Sequence, residues 1–180
     1  PRSMTLALPA WSVVTPKRVE HIARVVHVLE EWAVAMDMDA DEAKGWRDAG
    51  RWHDALRDER EYTLRMITGE LDRPVGMLHG PAAASRLAAE GESRLAVLEA
   101  IRWHTVGLST WQRTGRALYM ADFLEPGRRF LDTERAAMRA RVPLAFDEVF
   151  RDVVRLRIEW ALRSGKGLAP ETVTLWNAVR

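Results

Sequence analysis

The sequence predicts an all-α protein that folds as a single-domain helical bundle. Leu, Ala, Arg and Glu dominate the chain, and no stretch shows the alternating, β-branched pattern that is typical of a strand. Proline and glycine divide the chain into segments of about 10 to 20 residues, the usual length of globular helices. A chain of 180 residues is long enough for one substantial core and short for two. We therefore assign residues 1–180 to one domain, with residues 1–15 as a short N-terminal extension.

The composition excludes several classes of protein and of metal site. Apolar residues make up 47% of the chain and charged residues 29%, which argues against disorder. The absence of cysteine excludes disulfides and thiolate ligands, so any metal ion must be held by histidine and carboxylate. The mildly apolar stretch 6–14 is interrupted by Pro9, and no small-residue cleavage site follows it. We expect no signal peptide, no membrane span and a cytoplasmic protein.

The first long helix is predicted to run from Thr15 to about Met36. Thr15 has the side chain of an N-cap, and Pro16 suits the first helical position. At 100° per residue, His21 falls on the broad apolar face of this helix and His27 on the opposite, charged face. We therefore expect a buried His21 and a solvated His27.

The second helix is predicted to start near Asp41, with Trp46 and His53 at core-facing positions and Asp54 directly after His53. A shorter helix should follow over about 61–69. A histidine and a carboxylate that are adjacent on a helix offer two metal ligands that point in different directions. His-Asp pairs are common by chance, so this pair supports a metal site only if other polar residues are predicted to face the same interior.

Three further polar residues lie in apolar helical stretches. His79 is the first residue of a predicted helix rich in small residues. His104 falls on the apolar stripe of the following helix, for which Ser93 is the predicted N-cap. Asp122 lies inside the apolar run Ala117–Leu124, where an isolated charge would cost several kcal/mol, so we expect it to be paired or bound.

The last helices are predicted over about 133–141, 145–164 and 170–178, as packing elements with arginine-rich outer faces. Trp160 and Trp176 are predicted to belong to the core. The arginines of residues 128–163 could in principle bind nucleic acid, and the eight tryptophans could stack on single-stranded bases. We interpret the arginines as a solvated face and most tryptophans as core, and we expect neither a nucleic-acid nor a membrane partner.

A shared metal centre is the simplest way to satisfy six buried polar side chains together. A single core histidine is more often hydrogen-bonded than a ligand, but burying six polar groups for stability alone would be costly, since each needs a partner. A set of imidazole and carboxylate ligands without sulfur suits iron, manganese or another divalent ion. The candidate ligands are His21, His53, Asp54, His79, His104 and Asp122.

These ligands divide into two sets that share Asp54. One ion would take His21, His53, Asp54 and Asp122, and the other would take Asp54, His79 and His104. Two neighbouring cations can hold a bridging hydroxide, lower its pKa and clamp the oxygens of a phosphoryl group. Competing chemistries have no motif in the chain, which lacks a cysteine nucleophile, a Gly-x-Ser-x-Gly elbow, a Walker A loop and a Gly-x-Gly-x-x-Gly fingerprint.

The motifs around these residues resemble, in order, those of the YqeK family within the HD superfamily of metal-dependent phosphohydrolases. The resemblance covers residues 18–178 and includes a late Pro-x-Thr followed by Asn177. Its most specific part is His-Thr-x-Gly followed by Ala-Asp-x-x-Glu-Pro-x-Arg. The motifs are Arg18–Val25, Ala49–Asp54, His79–Ala84, Ala100–Gly107 and Leu118–Arg128.

The resemblance implies an HD-type bundle with a di-iron-type centre that hydrolyses diadenosine tetraphosphate to two ADP. It implies that all six ligands are present, that iron is the favoured metal, and that ADP or GDP would bind as a product-like ligand. It also allows a homodimer. Alternatives that stay open are an HD phosphohydrolase of another nucleotide and a slow or non-catalytic nucleotide sensor that keeps the metal site.

Asp54 and Arg57 are the candidate catalytic residues, and Arg57 stands where the family usually has lysine. The candidate substrate contacts are Arg18, Arg57, Arg128 and Thr105. The three arginines are chosen because a guanidinium can bind phosphate with two hydrogen bonds. The alternative for Arg128 is a helix-end ion pair with the nearby Glu125. The alternative for Thr105 is a cap at the end of its helix.

Overall fold

The computed structural model describes residues 6–180, so the first five residues of the predicted N-terminal extension lie outside the described part. Within residues 6–180 the chain forms nine α-helices, a single 3-10 turn at Val75–Met77 and no strand. The prediction of an all-α fold is therefore confirmed. The helices are α1 (Pro16–Ala35), α2 (Ala40–Trp52), α3 (Glu61–Thr68), α4 (His79–Ala89), α5 (Leu95–Trp103), α6 (Arg113–Leu124), α7 (Asp132–Arg141), α8 (Phe146–Arg163) and α9 (Pro170–Val179).

Helix α1 begins where its capping residues predict. The Thr15 hydroxyl accepts a hydrogen bond from the amide of Arg18, and Pro16 occupies the first turn. The apolar face of the helix is buried and carries His21, which is 6% exposed, whereas the side chain of His27 is 69% exposed. The predicted difference between the two histidines is confirmed.

Helix α2 begins at Ala40, and its cap is Asp39, whose side chain accepts hydrogen bonds from the amides of Asp41 and Glu42. The predicted cap of α5, Ser93, is wrong. Helix α5 begins after Arg94, whose amide donates to the Glu92 carboxylate.

Helix α6 is the centre of the bundle. It packs against α1, α2, α5, α7 and α8, and most of its side chains are buried. Helices α1, α2 and α5 surround the same core, and α4 packs on α5. This arrangement places the ends of α2, α5 and α6 and the start of α4 near the N-terminal part of α1, which carries His21. None of the helices described over residues 6–180 combines the length and the hydrophobicity that a membrane-spanning segment needs.

The tryptophans divide between core and surface. Trp32, Trp46 and Trp111 are buried, and Trp176 is partly buried against the core. The prediction that Trp160 belongs to the core is wrong, because its side chain stacks on Phe130 at the edge of the bundle and stays 46% exposed.

Candidate metal centre

Five elements of the bundle bring the six candidate ligands to one buried point. His21 lies on α1, His53 and Asp54 directly follow α2, His79 is the first residue of α4, His104 directly follows α5, and Asp122 lies in the last turns of α6. Each of the six is at most 9% exposed.

Asp54 lies between two pairs of histidines. Its Oδ1 is 3.1 Å from His79 Nε2 and 3.4 Å from His104 Nε2. Its Oδ2 is 3.5 Å from His53 Nε2 and 3.6 Å from His21 Nε2. One carboxylate thus presents a different oxygen to each pair, which is the geometry of a bridging ligand.

Two of the histidines are oriented by backbone carbonyls. His53 Nδ1 lies 2.8 Å from the carbonyl oxygen of Gly50, and His104 Nδ1 lies 2.7 Å from that of Ile101. Because a carbonyl only accepts, the proton of each neutral ring sits on Nδ1. The lone pair of each Nε2 therefore points into the cluster, as in a metal-binding histidine.

The centre contains buried nitrogen atoms that the protein alone does not satisfy. His21 Nε2 and His53 Nε2 are buried, and neither makes a hydrogen bond within residues 6–180. His21 Nε2 is 3.2 Å from Asp122 Oδ1, but it is not aligned for a hydrogen bond. Such unpaired groups are costly in an interior, and a cation would satisfy them. The residues present fit a metal ion.

Two groups of ligand atoms are close enough to hold an ion, with every atom within 4.8 Å of the others in its group. One group comprises His21, His53 and Asp122, and the second comprises His53, Asp54 and His104. The second differs from the predicted set in containing His53 in place of His79. His79 Nε2 nevertheless lies 3.0 Å from His104 Nε2, so it faces the same space.

The two aspartates are held in their charged form. Burial by itself would raise the pKa of Asp54, but the charge and hydrogen bonds of the surrounding imidazoles hold it well below its usual value. Burial likewise opposes ionisation of Asp122, but the charge of Arg128 and the nearby His21 keep its pKa well below the usual range. Both carboxylates are therefore available as anionic ligands.

The two ends of the histidine cluster differ in their electrostatics. Burial would lower the pKa of His21, but its contacts with Asp122 and Glu125 outweigh burial and raise the pKa to about 9. Burial lowers the pKa of His104 to about 4, and the neighbouring imidazoles add to this effect. The His21 end therefore attracts positive charge, while His104 is kept neutral, the form that binds metal.

Arginines line the opening of the cavity, about 510 Å³ in volume, that leads to the centre. Arg18 Nη1 donates to Asp54 Oδ2 at 2.8 Å, and Arg128 Nη2 donates to Asp122 Oδ1 at 2.9 Å. The alternative partner of Arg128, Glu125, is farther away, at 3.8 Å from its Nε. Arg57 lines the same cavity, is partly exposed, and forms no ion pair with a described residue. The cavity therefore offers cations to an anionic ligand.

Thr105 lines the cavity as well. Its hydroxyl lies 3.3 Å from His104 Nε2. The structure therefore places the last of the predicted substrate contacts beside the metal centre.

Glu125 is a part of the site that was not predicted from the sequence. Its carboxylate is 1% exposed and accepts hydrogen bonds from His21 Nδ1 at 3.2 Å, Arg24 Nε at 2.5 Å and the Gly127 amide at 2.6 Å. These contacts orient the His21 ring so that Nε2 faces the centre, as a carboxylate behind a metal-binding histidine does. An acid directly after the apolar run of α6 was the available signal.

Arg157 is a second residue of the site that was not predicted from the sequence. It comes from α8, its Nη1 lies 3.8 Å from Asp122 Oδ2, and its guanidinium covers the ring of Tyr119. It looks like an ordinary surface arginine in the sequence, so nothing there distinguishes it.

The comparisons with known proteins identify relatives along almost the whole chain, although no protein-family profile matches it. A symmetrical bis(5'-nucleosyl)-tetraphosphatase from Halalkalibacterium halodurans is 26% identical over 180 residues, 93% of this chain and 94% of the relative. A protein of the same name from Staphylococcus aureus is 30% identical over 120 residues, 62% of this chain and 60% of the relative.

A solved structure shares the fold. The crystal structure of a predicted HD superfamily hydrolase involved in NAD metabolism, from Clostridium acetobutylicum, superposes with a TM-score of 0.79 at 25% identity. The match covers 92% of this chain and 90% of that one. Together with the buried His–Asp cluster, these relatives show that the chain is a hydrolase with the fold of the HD superfamily, similar over most of its length to proteins named symmetrical bis(5'-nucleosyl)-tetraphosphatase.

Proposed function

We propose that this phosphohydrolase cleaves dinucleoside polyphosphates, and diadenosine tetraphosphate in particular, to two molecules of ADP. Addition of water to an inner phosphorus and breakage of the central P–O–P linkage would give this symmetrical product. The observation that carries the proposal is the position of Asp54 between two pairs of histidines, beneath an opening lined by arginines. The names of the curated relatives support the substrate.

We propose two metal ions that share Asp54, with iron favoured and manganese or another divalent ion as the alternative. His21, His53 and Asp122 would hold one ion through the Oδ2 side of Asp54, and His79 and His104 would hold the other through the Oδ1 side. When bound, such cations supply an activated water and withdraw charge from a phosphoryl group.

The side chains around the centre bind and orient the polyphosphate. Arg57 has a free guanidinium for phosphate, and Arg18 and Arg128 are held at the opening by their hydrogen bonds to Asp54 and Asp122. Thr105 can donate its hydroxyl proton to a phosphate oxygen. A guanidinium with two parallel N–H donors stabilises the negative charge that develops in the transition state of phosphoryl transfer. We therefore assign Arg57 to catalysis as well as to substrate binding.

The proposal is tested by measuring metal content and diadenosine tetraphosphate turnover on one anaerobically purified sample. Close to two metal ions per chain and ADP as the sole product are expected. Bound metal with turnover of a different nucleotide would show that the enzyme has another substrate. Bound metal with tight nucleotide binding but no turnover would indicate a nucleotide sensor. Folded protein without metal would contradict the proposal. A homodimer and a cytoplasmic location stay predictions.

Arg57→Ala should lower kcat/KM about 10- to 100-fold, because one hydrogen bond to a charged group contributes roughly 1.5–3 kcal/mol. Arg57→Lys should recover part of this loss, since it restores the charge without the fork. Arg60→Ala removes an exposed arginine three residues farther along the chain and should change nothing. Equal kinetics for wild type and Arg57→Ala would remove Arg57 from the site.

Glu125→Gln should weaken metal binding about 10- to 100-fold, the usual effect of changing a group that orients a ligand. Gln keeps the size but loses the charge that faces His21 and Arg24. The measurement is a competition titration with a metal chelator. Glu92→Gln is the matched control, because Glu92 is paired with Arg94 away from the centre. Unchanged metal affinity in Glu125→Gln would contradict the role.

A further inference from the structure

We propose that a second cavity beside the metal centre binds one nucleoside of the substrate, with its base on the exposed Trp160. This inference rests on the proposed function, because it names where a nucleoside lies when its phosphates reach the centre. The cavity lies between the α6–α7 loop, the end of α8 and the loop before α9. Its volume of about 470 Å³ falls in the range of small-molecule sites, about 300–1,000 Å³.

The second cavity is continuous with the metal centre. The two cavities share Arg57, Thr105, Asp122, Arg128 and Arg157 in their walls. A ligand with phosphates at the centre can therefore extend into the second cavity without leaving the protein surface. The three shared arginines lie where the bridging phosphates of such a ligand would pass.

The far wall of the second cavity is aromatic and apolar, unlike the metal centre. Phe130 and Trp160 stack with their ring centroids 4.8 Å apart and their planes at 27°, and Phe123 packs against Phe130. The stack leaves Trp160 46% exposed. A large aromatic ring that is exposed inside a cavity is a surface for a planar base, since each base has a π-face.

The types of side chain along the two cavities follow the order of the phosphates and the base in a nucleotide. Buried imidazoles and carboxylates come first, the arginines follow, and the aromatic pair comes last, with Lys166 at the rim. A polyphosphate without a base would leave the aromatic wall empty. An apolar ligand without phosphate would leave Arg57, which forms no ion pair with a described residue, without an anionic partner. A nucleoside polyphosphate satisfies both parts.

The test compares the binding of ADP and of inorganic pyrophosphate to Trp160→Ala by calorimetry, on protein as purified. Loss of one stacked base should weaken ADP binding about tenfold and leave pyrophosphate binding unchanged. Trp160 is partly exposed, so its removal should preserve the fold, which circular dichroism checks. Tyr62→Ala is the control, because it removes a 75% exposed aromatic ring from α3.

Three outcomes would overturn the nucleoside site. The first is equal ADP affinity in wild type and Trp160→Ala, and the second is an equal loss of affinity for ADP and pyrophosphate in Trp160→Ala. The third is the absence of ADP binding by the wild type. A changed oligomeric state with unchanged ADP affinity would assign the surface to a second copy of the chain. The binding assay does not depend on turnover. A chain that binds ADP through Trp160 but hydrolyses no dinucleotide would contradict only the proposed function.

Discussion

Asp54→Ala should remove the bound metal and reduce turnover by at least about a thousandfold, because metal ions contribute several kcal/mol to phosphoryl transfer. The carboxylate lies within 3.6 Å of the Nε2 atoms of all four histidines of the centre. It is also the partner of Arg18, so its loss leaves Arg18 unpaired and Asp122 as the one carboxylate among the six candidate ligands, with weaker attraction for a cation. Metal analysis and product assay on the same sample measure both effects.

The control for Asp54→Ala is Asp48→Ala. Asp48 is also a buried aspartate and accepts hydrogen bonds from Lys44 and Arg94 at 2.8 Å, away from the centre. Its removal should lower stability, because it breaks a partly buried ion-pair network, but should leave metal content unchanged. Retained metal in Asp54→Ala, or an equal loss in Asp48→Ala, would show that Asp54 does not bridge the site.

Gly80→Ala should destabilise the protein by about 1–3 kcal/mol or more and reduce metal binding with it. A Cβ at this position would lie 2.6 Å from the carbonyl oxygen of Ile101 and 3.1 Å from His104 Cε1. The carbonyl belongs to α5 and cannot rotate away, so α4 would have to move. That movement displaces His79 from His104, whose Nε2 atoms are 3.0 Å apart. Thermal unfolding and metal titration measure the two effects.

Gly45→Ala is the matched control, because Gly45 is also a buried helical glycine. Its Cβ would meet Val97 Cγ2 at 3.6 Å, an ordinary van der Waals distance. Replacing glycine by alanine inside a helix contributes up to about 1 kcal/mol, so we expect equal or higher stability and full metal content. Wild-type stability in Gly80→Ala would contradict the close approach of α4 to α5.

Local sequence patterns predicted the helical segments and the six residues that lie together at the candidate centre. Helical periodicity placed His21 and His27 on opposite faces of α1, because the apolar stripe of a helix is a local property of the chain. The same reasoning indicated that His53, His104 and Asp122 face inward. Buried polar groups need partners, so their presence on apolar faces was sufficient to predict a shared centre.

The N-cap of α5 could not be predicted reliably, because two neighbouring side chains compete for the same backbone amide. Ser93 is a good capping residue, but the amide at the start of α5 is bound by Glu92, whose carboxylate also pairs with Arg94. Both side chains lie within reach of the same amide, and propensity does not decide between them.

The contacts between helices depend on tertiary packing and could not be predicted from local patterns. Glu125 orients His21 on α1, and Arg157 reaches Asp122 from α8, through distances that depend on how the helices cross. Trp160 follows the pattern of a core residue, yet no described helix covers it, so it stays exposed beside the second cavity. Periodicity shows which face of a helix is apolar, but the packing of the other helices decides whether that face is buried.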